Sequence, residues 1–252
     1  GQPLATRTPI RLGASLAVIR HPSIYLRPVS APQATRLASN MAKRRGLQKR
    51  AAEALAALGF TAITGTNFTR RSGEQLHLVN LQYRKFCSEI TFNIGCHFVG
   101  VPTWVIDERV FRPVTEEKME WLNCGLLTRL DCYVGDGKRP MWWNPDNSEV
   151  PEVLEIACKA VTKAFAFCEK TWGDGSPILA SHVKLRPRSC WFSAPLSRWS
   201  LCMQDDTLGF LALLAHHHGD NELAKALYQR MFAREYPPPP YLAEGVAKVI
   251  GM

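Results

Sequence analysis

The chain has 252 residues, 46% apolar and 21% charged, which is enough apolar material for a core and too little charge for a disordered segment. Net charge is +9, yet residues 1–40 hold five Arg and no acid, so residues 41–252 carry 26 basic and 22 acidic side chains, a surplus of only +4. So mild a surplus argues against a strong polyanion footprint on the body of the chain.

Residues 1–40 are rich in Pro, Ser, Ala and Arg, the composition of a transit peptide or of translated upstream sequence, and Met41-Ala42-Lys43-Arg44-Arg45 reads as a natural start. Leu16, Val18, Ile24 and Tyr25 are expected to hold this extension against the body. From Ala42 to Leu58, Leu47, Ala51, Ala54, Leu55 and Leu58 recur at helical spacing, and Gly59 supplies a stop. The opposite face carries Lys43, Arg44, Arg45, Lys49 and Arg50.

Strands are expected at about 60–70, 75–85 and 88–99, with a turn at Arg71-Ser72-Gly73. The third is the clearest. Ile90, Phe92, Ile94, Cys96 and Phe98 alternate with Glu89, Thr91, Asn93 and His97, the period-two pattern of a strand buried on one face. Val101-Pro102 closes this section. Thr115 followed by Glu116, Glu117 and Lys118 predicts a helix running on through Leu122. Leu127 to Val134 alternates and predicts a fourth strand, with a turn at Asp136-Gly137. Met141-Trp142-Trp143 starts another strand or forms an apolar plug. Asp146 to Ser148 caps a long helix from about 149 to 170, whose apolar face is Val153, Ile156, Ala157, Ala160, Val161, Ala164 and Phe165. Residues 178–204 show no clear period. Two helices, 205–218 and 221–235, follow as a hairpin about Gly219-Asp220. Pro237 to Pro240 stiffens the exit to a C-terminal tail.

The division expected is an atypical extension at 1–40, a single domain at 41–236 that includes the helical hairpin 205–235, and a Pro-rich exit and tail at 237–252. The fold class expected is α+β: an antiparallel sheet of four to five strands with helices packed on one face, plus the C-terminal hairpin.

Eight Cys stand at 87, 96, 124, 132, 158, 168, 190 and 202 with no C-x-x-C pair. They read as free thiols in a reducing cytoplasm, and no zinc ribbon or redox motif is among them. No apolar stretch of about 18 residues could span a membrane. His216, His217 and His218 point about 100° apart along a helix, so they read as C-terminal dipole partners rather than metal ligands. Asp205-Asp206 reads as a helix start in the same way. The G-x-S-x-G, G-x-x-x-x-G-K-[ST] and G-x-G-x-x-G patterns are absent. No residue is nominated as catalytic, and no metal or cofactor is expected.

Candidate binding residues are Arg70, Arg71, Tyr83, Arg84, Trp142 and Trp143. The arginines sit at strand ends near Tyr83 and Phe86, beside Lys85, and Lys184, Arg186, Arg188 and Arg198 lie near Trp191 and Trp199. Basic residues with aromatics suit single-stranded nucleic acid, against the competing reading of scattered solvation. Adjacent residues on an extended segment face opposite sides. One member of Trp142-Trp143 therefore fills the core while the other anchors a partner, unless both are buried between sheet and helix.

Four short motifs occur in order: Gly59-Phe60, Phe68-Thr69-Arg70-Arg71, Leu78-Val79-Asn80-Leu81-Gln82 and Ile90-Thr91-Phe92-Asn93-Ile94-Gly95. An Arg-containing strand from Arg129 to Tyr133 and the Trp142-Trp143 pair before the long helix follow them. In these the chain resembles an uncharacterised bacterial family, the domain of unknown function 4304, over about residues 44–172. The resemblance implies a bacterial, cytoplasmic α+β domain and brings no catalytic residues. By analogy with other such families it implies an immunity-like or partner-binding role. Three functions are expected in descending order: a non-enzymatic protein-binding module, a nucleic-acid binder using the basic clusters on the sheet and first helix, and an enzyme of unidentified class. The oligomeric state is left open.

Overall fold

The structure, a computed structural model, describes residues 31–84, 89–105, 110–134, 142–144, 150–184, 200–201, 207–233 and 237–252. The expected packing of Leu16 to Tyr25, the turn at Asp136-Gly137, the cap at Asp146 to Ser148, the aromatic and basic residues from Lys85 to Phe86 and from Arg186 to Trp199, and the Asp205-Asp206 pair lie outside these residues. So does the side chain of Lys184.

The fold is α+β. One antiparallel sheet runs in the order β1-β2-β3-β4-β7-β8. Its strands are β1 Thr61–Ala62, β2 Asn67–Ser72, β3 Gln75–Tyr83, β4 Ile90–Phe98, β7 Leu126–Arg129 and β8 Ser200–Leu201. Because β1 and β8 are two residues long, the four strands between them carry the sheet. Strands β5 Pro102–Val105 and β6 Val110–Pro113 form a separate hairpin. That hairpin was read as the end of the sheet section. Each arm has only four residues, too few for a period to register.

Helices α1 Ala31–Ala56 and α2 Val150–Trp172 cover one face. Leu47, Ala51 and Leu55 of α1 are buried, with Ala54 and Leu58 packed partly against the same cluster. The α1 helix begins ten residues before Met41, inside the segment set apart by composition. On α2, Val153, Ala157, Ala160, Val161, Ala164 and Phe165 are buried as the spacing requires, while Ile156 is half-buried and Leu154, Cys168 and Trp172 join the core. Gly59, at φ +82°, ends α1 in the left-handed region, which costs a residue without Cβ least.

The period-two reading of β4 is right for the helix side and incomplete for the other. All nine residues of β4 are buried, on both faces. A second cluster of Leu76, Leu78, Val114, Met119, Cys124 and Leu127 covers one end of the far face. Gly95 makes this possible. A Cβ there would meet Cys124 Sγ at 2.3 Å, well inside contact distance. The helix expected from Thr115 through Leu122 is instead two 3-10 turns, Glu116–Lys118 and Trp121–Asn123. Met119, 1% exposed, is pulled onto the sheet between them, which a continuous helix would not allow. The fourth strand stops at Arg129, and Leu130–Cys132 turns in 3-10 form.

Helix α3 Ser176–Lys184 opens the stretch without clear period. The helices α4 Thr207–His217 and α5 Asn221–Phe232 form the expected hairpin, and Asp220 caps α5 by accepting from Leu223 N–H at 3.0 Å. Residues 240–250, expected as tail, form a further helix, α6 Pro240–Ile250. Proline at the first helical position starts it, and Leu242, Ala243, Val246 and Ile250 are buried at helical spacing. The absence of a Cβ at Gly245 admits the Phe111 ring of β6.

Candidate functional site

Cross-strand partners share a face, so the register sorts every polar side chain of the sheet. On the helix side lie Arg70↔His77 and His77↔Cys96. Arg70 donates through Nη1 to Leu58 O at 3.1 Å and through Nη2 to Glu169 Oε1 at 2.9 Å. The same Nη2 lies 3.1 Å from His77 Nδ1, and the guanidinium covers the rings of Phe60 and Phe165 at 5.1 and 5.8 Å. His77 stacks on Phe165 with centroids 4.0 Å apart. Its Nε2 lies 2.9 Å from Gln75 Oε1, and Gln75 Nε2 donates to the carbonyls of Cys168 and Gly173 at 3.0 and 2.7 Å.

Burial first, and the Arg70 charge second, hold the His77 pKa at about 3. The neutral ring therefore donates from Nε2 to Gln75 and accepts at Nδ1 from Arg70. Burial also pushes the Cys168 thiol well above its ordinary value, and the neighbouring Cys96 adds to this. A protonated thiol is a poor nucleophile. This network ties β2, β3 and α2 together, with Arg70 Nε as its one buried atom that has no partner among the described residues.

His97 is similarly spent on the far side. Its Nε2 donates to Val101 O at 2.8 Å and its Nδ1 accepts from Gly125 N–H at 3.0 Å. Burial lowers its pKa to about 4, helped by His217. Of the three consecutive histidines, His216 reaches Asn221 Oδ1, His218 reaches Asp174 O, and His217 packs over Gly100. The His217 and His218 rings meet edge to face with centroids 5.4 Å apart, and no group of three metal-ligating side chains occurs among the described residues.

Beyond the second apolar cluster, the far face carries a polar row. Asn67↔Asn80, Asn80↔Asn93 and Asn93↔Arg129 are register partners across β2, β3, β4 and β7. Asn80 Nδ2 donates to Asn67 Oδ1 at 2.7 Å, and Asn93 Nδ2 donates to Asn80 Oδ1 at 3.1 Å and to Gln82 Oε1 at 2.9 Å. All three of these bonds run from donor to acceptor toward β2. At the β7 end Asn93 Oδ1 is therefore left without a donor, although Asn93 is 1% exposed. Among the described residues Thr91 Oγ1 has no partner either, in a side chain that is fully buried. Arg129 Nε and Nη2 are buried with no hydrogen-bond acceptor among the described residues; Asp131 Oδ2 stands 3.5 Å from Nε as an ion pair.

Trp142 lies at this end. Trp143 bridges Ile90 and packs on Phe92, so it belongs to the helix side, and Trp142 falls on the other. The guanidinium groups of Arg84 and Arg129 sit 5.7 and 5.4 Å from its ring centroid. Arg84 is also paired with Glu89 Oε2 at 2.6 Å.

The six residues singled out in the sequence thus split between two faces. Arg70, Tyr83 and Trp143 are on the helix side, where Tyr83 lies under Arg44 at 4.7 Å and donates to its carbonyl. Arg71 is exposed at the β2–β3 turn, bonded to Gly73 O. Only Arg84 and Trp142 come together, and they do so around Arg129. Asn67, Asn80, Gln82, Thr91, Asn93 and Arg129 were not singled out. Asparagine is disfavoured in strands, so one in the middle of each of two adjacent strands was the available signal.

No helix of the described residues is long and apolar enough to cross a membrane. No curated protein matches the chain, and no solved structure does. A family model matches residues 51–179, which takes in α1 from Ala51, the four long strands, Trp142 and α2. The chain belongs to the family described as a domain of unknown function, DUF4304.

Proposed function

We propose that the chain is a non-enzymatic module that binds another protein through the far face of the sheet around Trp142. The observation that carries this reading is Trp142, partly exposed, with the guanidinium groups of Arg84 and Arg129 5.7 and 5.4 Å from its ring centroid. Trp and Arg are also the side chains that most often anchor protein interfaces.

Catalysis has less support. His77 and His97 are held neutral with both ring nitrogens engaged, so neither is a ready general base. Nucleic acid also has less support than the sequence suggested, because Arg70, Arg84 and Arg129 each stand against a carboxylate: Glu169, Glu89 and Asp131. Such pairs leave little net charge to neutralise phosphates.

The test is affinity capture from a host lysate with nuclease present, comparing the wild type with Trp142→Ala. One stoichiometric protein, retained by the wild type and lost by a variant of unchanged melting temperature, supports the reading. The expected loss is about 30-fold in affinity. Capture unaffected by Trp142→Ala removes this face from consideration.

A further inference from the structure

We infer that helix α1 carries a second interaction surface, a basic face that binds the phosphate backbone of a nucleic-acid duplex. This surface is separate from the Trp142 face, and the two are independent. Residues 1–50 hold ten basic side chains and no acid, so residues 51–252 hold 21 basic and 22 acidic ones, a net of −1. The whole positive surplus therefore lies ahead of Ala51. Half of those ten side chains, Lys43, Arg44, Arg45, Lys49 and Arg50, fall within one short run of α1, and all of them are exposed.

Helical geometry gathers these charges. Lys43, Arg45, Lys49 and Arg50 fall within an arc of about 160°, over about 10 Å of helix axis. The first acid of the chain, Glu53, reaches Lys49 only at 4.0 Å with both side chains largely exposed, a contact that neutralises little. The face is also held in place. Tyr83 donates to Arg44 O at 3.3 Å and lies under its guanidinium at 4.7 Å, which fixes this end of α1 to β3. Leu47 and Ala51 fix the next turn in the core. Inside the arc stands Gly46, exposed, where an added Cβ would meet nothing within 4 Å. Packing thus gives no reason for a residue that weakens a helix. Its missing side chain lets a phosphate backbone come close between Lys49 and Arg50.

What the face lacks selects its occupant. Between residues 41 and 50 the large apolar side chains are Met41 and Leu47, and Leu47 is buried in the core. A helix lying on a membrane needs an apolar stripe to insert, and a protein interface needs an apolar centre. This face offers neither. The α1 sequence has no aromatic residue and Tyr83 is covered by Arg44, so unpaired bases have no ring to stack on. Phosphate remains, and its charge is densest along a duplex.

The experiment is a binding titration of the whole chain, read by fluorescence anisotropy, with mixed-sequence DNA and RNA duplexes of about 20 base pairs. An oligothymidylate of the same length, a Glu and Ser decapeptide and vesicles of phosphatidylcholine with phosphatidylserine are the competing probes. A duplex is expected to bind with a Kd that rises about 100-fold or more from about 50 to about 200 mM salt. Binding of either duplex supports the inference, and the tighter one names its source. Arg45→Gln, Lys49→Gln and Arg50→Gln together are expected to flatten the log–log salt slope by about 2.7 at an unchanged melting temperature. Gly46→Leu, which adds bulk and no charge, is expected to weaken duplex binding about fivefold while raising the melting temperature. Trp142→Ala is expected to leave duplex binding unchanged.

Absence of duplex binding at the lower salt, or tighter binding of the oligothymidylate, the peptide or the vesicles, overturns the inference. So does a salt slope that survives the triple substitution and is lost when Arg7, Arg11, Arg20 and Arg27 are all changed to Gln.

Discussion

On the helix side of the sheet, His77 and Gln75 are buried, and both ring nitrogens and both ends of the carboxamide have protein partners. On the far side Asn93 and Thr91 are buried as deeply, and each keeps an atom with none. Among the described residues the helix side thus leaves only Arg70 Nε without a partner, while the far side, where His97 is fully engaged, leaves several such atoms around Asn93 and Arg129. The helix side has α2 to close its network, since the carbonyls of Cys168 and Gly173 and the Glu169 carboxylate come from that helix and its end. At the polar end of the far face the described residues supply only Trp142 and short turns. A closed network holds a fold together; buried groups left unpaired cost stability.

Acid offers the largest test of this contrast. His77 and His97 are neutral when folded, with pKa values of about 3 and about 4 against an ordinary 6.5. The unfolded chain binds these protons more readily, so their contribution is fully present above about pH 6.5 and drains away as pH falls toward 4 and below. The loss is on the order of 3–5 kcal/mol for each histidine once both states are protonated. Urea titrations between pH 7.5 and 4 are expected to show a falling midpoint, and a flat one would break the account of both histidines.

Smaller in effect is Arg70→Met, which keeps the aliphatic contact with Phe60 and Phe165 and removes the bonds to Leu58, His77 and Glu169. It is expected to cost about 2–3 kcal/mol in urea unfolding with an unchanged slope, because His77 Nδ1 is left buried without a donor. A cost below about 0.5 kcal/mol would mean that the helix-side network is not what ties α2 to the sheet.

The smallest effect sharpens the comparison most. Thr91→Val removes a buried hydroxyl with no partner and keeps the shape, so stability is expected to stay level or rise by up to about 1 kcal/mol. A drop of about 2 kcal/mol in thermal or urea unfolding would show that Thr91 Oγ1 is satisfied in solution, and the two faces would no longer differ at that position.

Much of the architecture was legible because it repeats locally. Alternation in Ile90 to Phe98 and Gln75 to Tyr83, the apolar face of α2, and the break at Gly219-Asp220 are all patterns within one element, set by side-chain period and backbone preference. The hairpin of β5 and β6 and the helix α6 were missed, since four-residue strands and a start inside a proline run give weak local signals. The division of Arg70, Arg71, Tyr83, Arg84, Trp142 and Trp143 between two faces followed from alternation once the register was known. What singles out the far face is different in kind. Successive members of the row Asn67, Asn80, Asn93 and Arg129 stand 13, 13 and 36 positions apart in the chain and become a row only when β2, β3, β4 and β7 pair in this register. Sequence determined the elements and their faces, because those depend on neighbours a few residues away. Tertiary structure decided which polar groups close on each other and which stay open, because a hydrogen bond depends on distance in space, which strand pairing and the docking of α2 set.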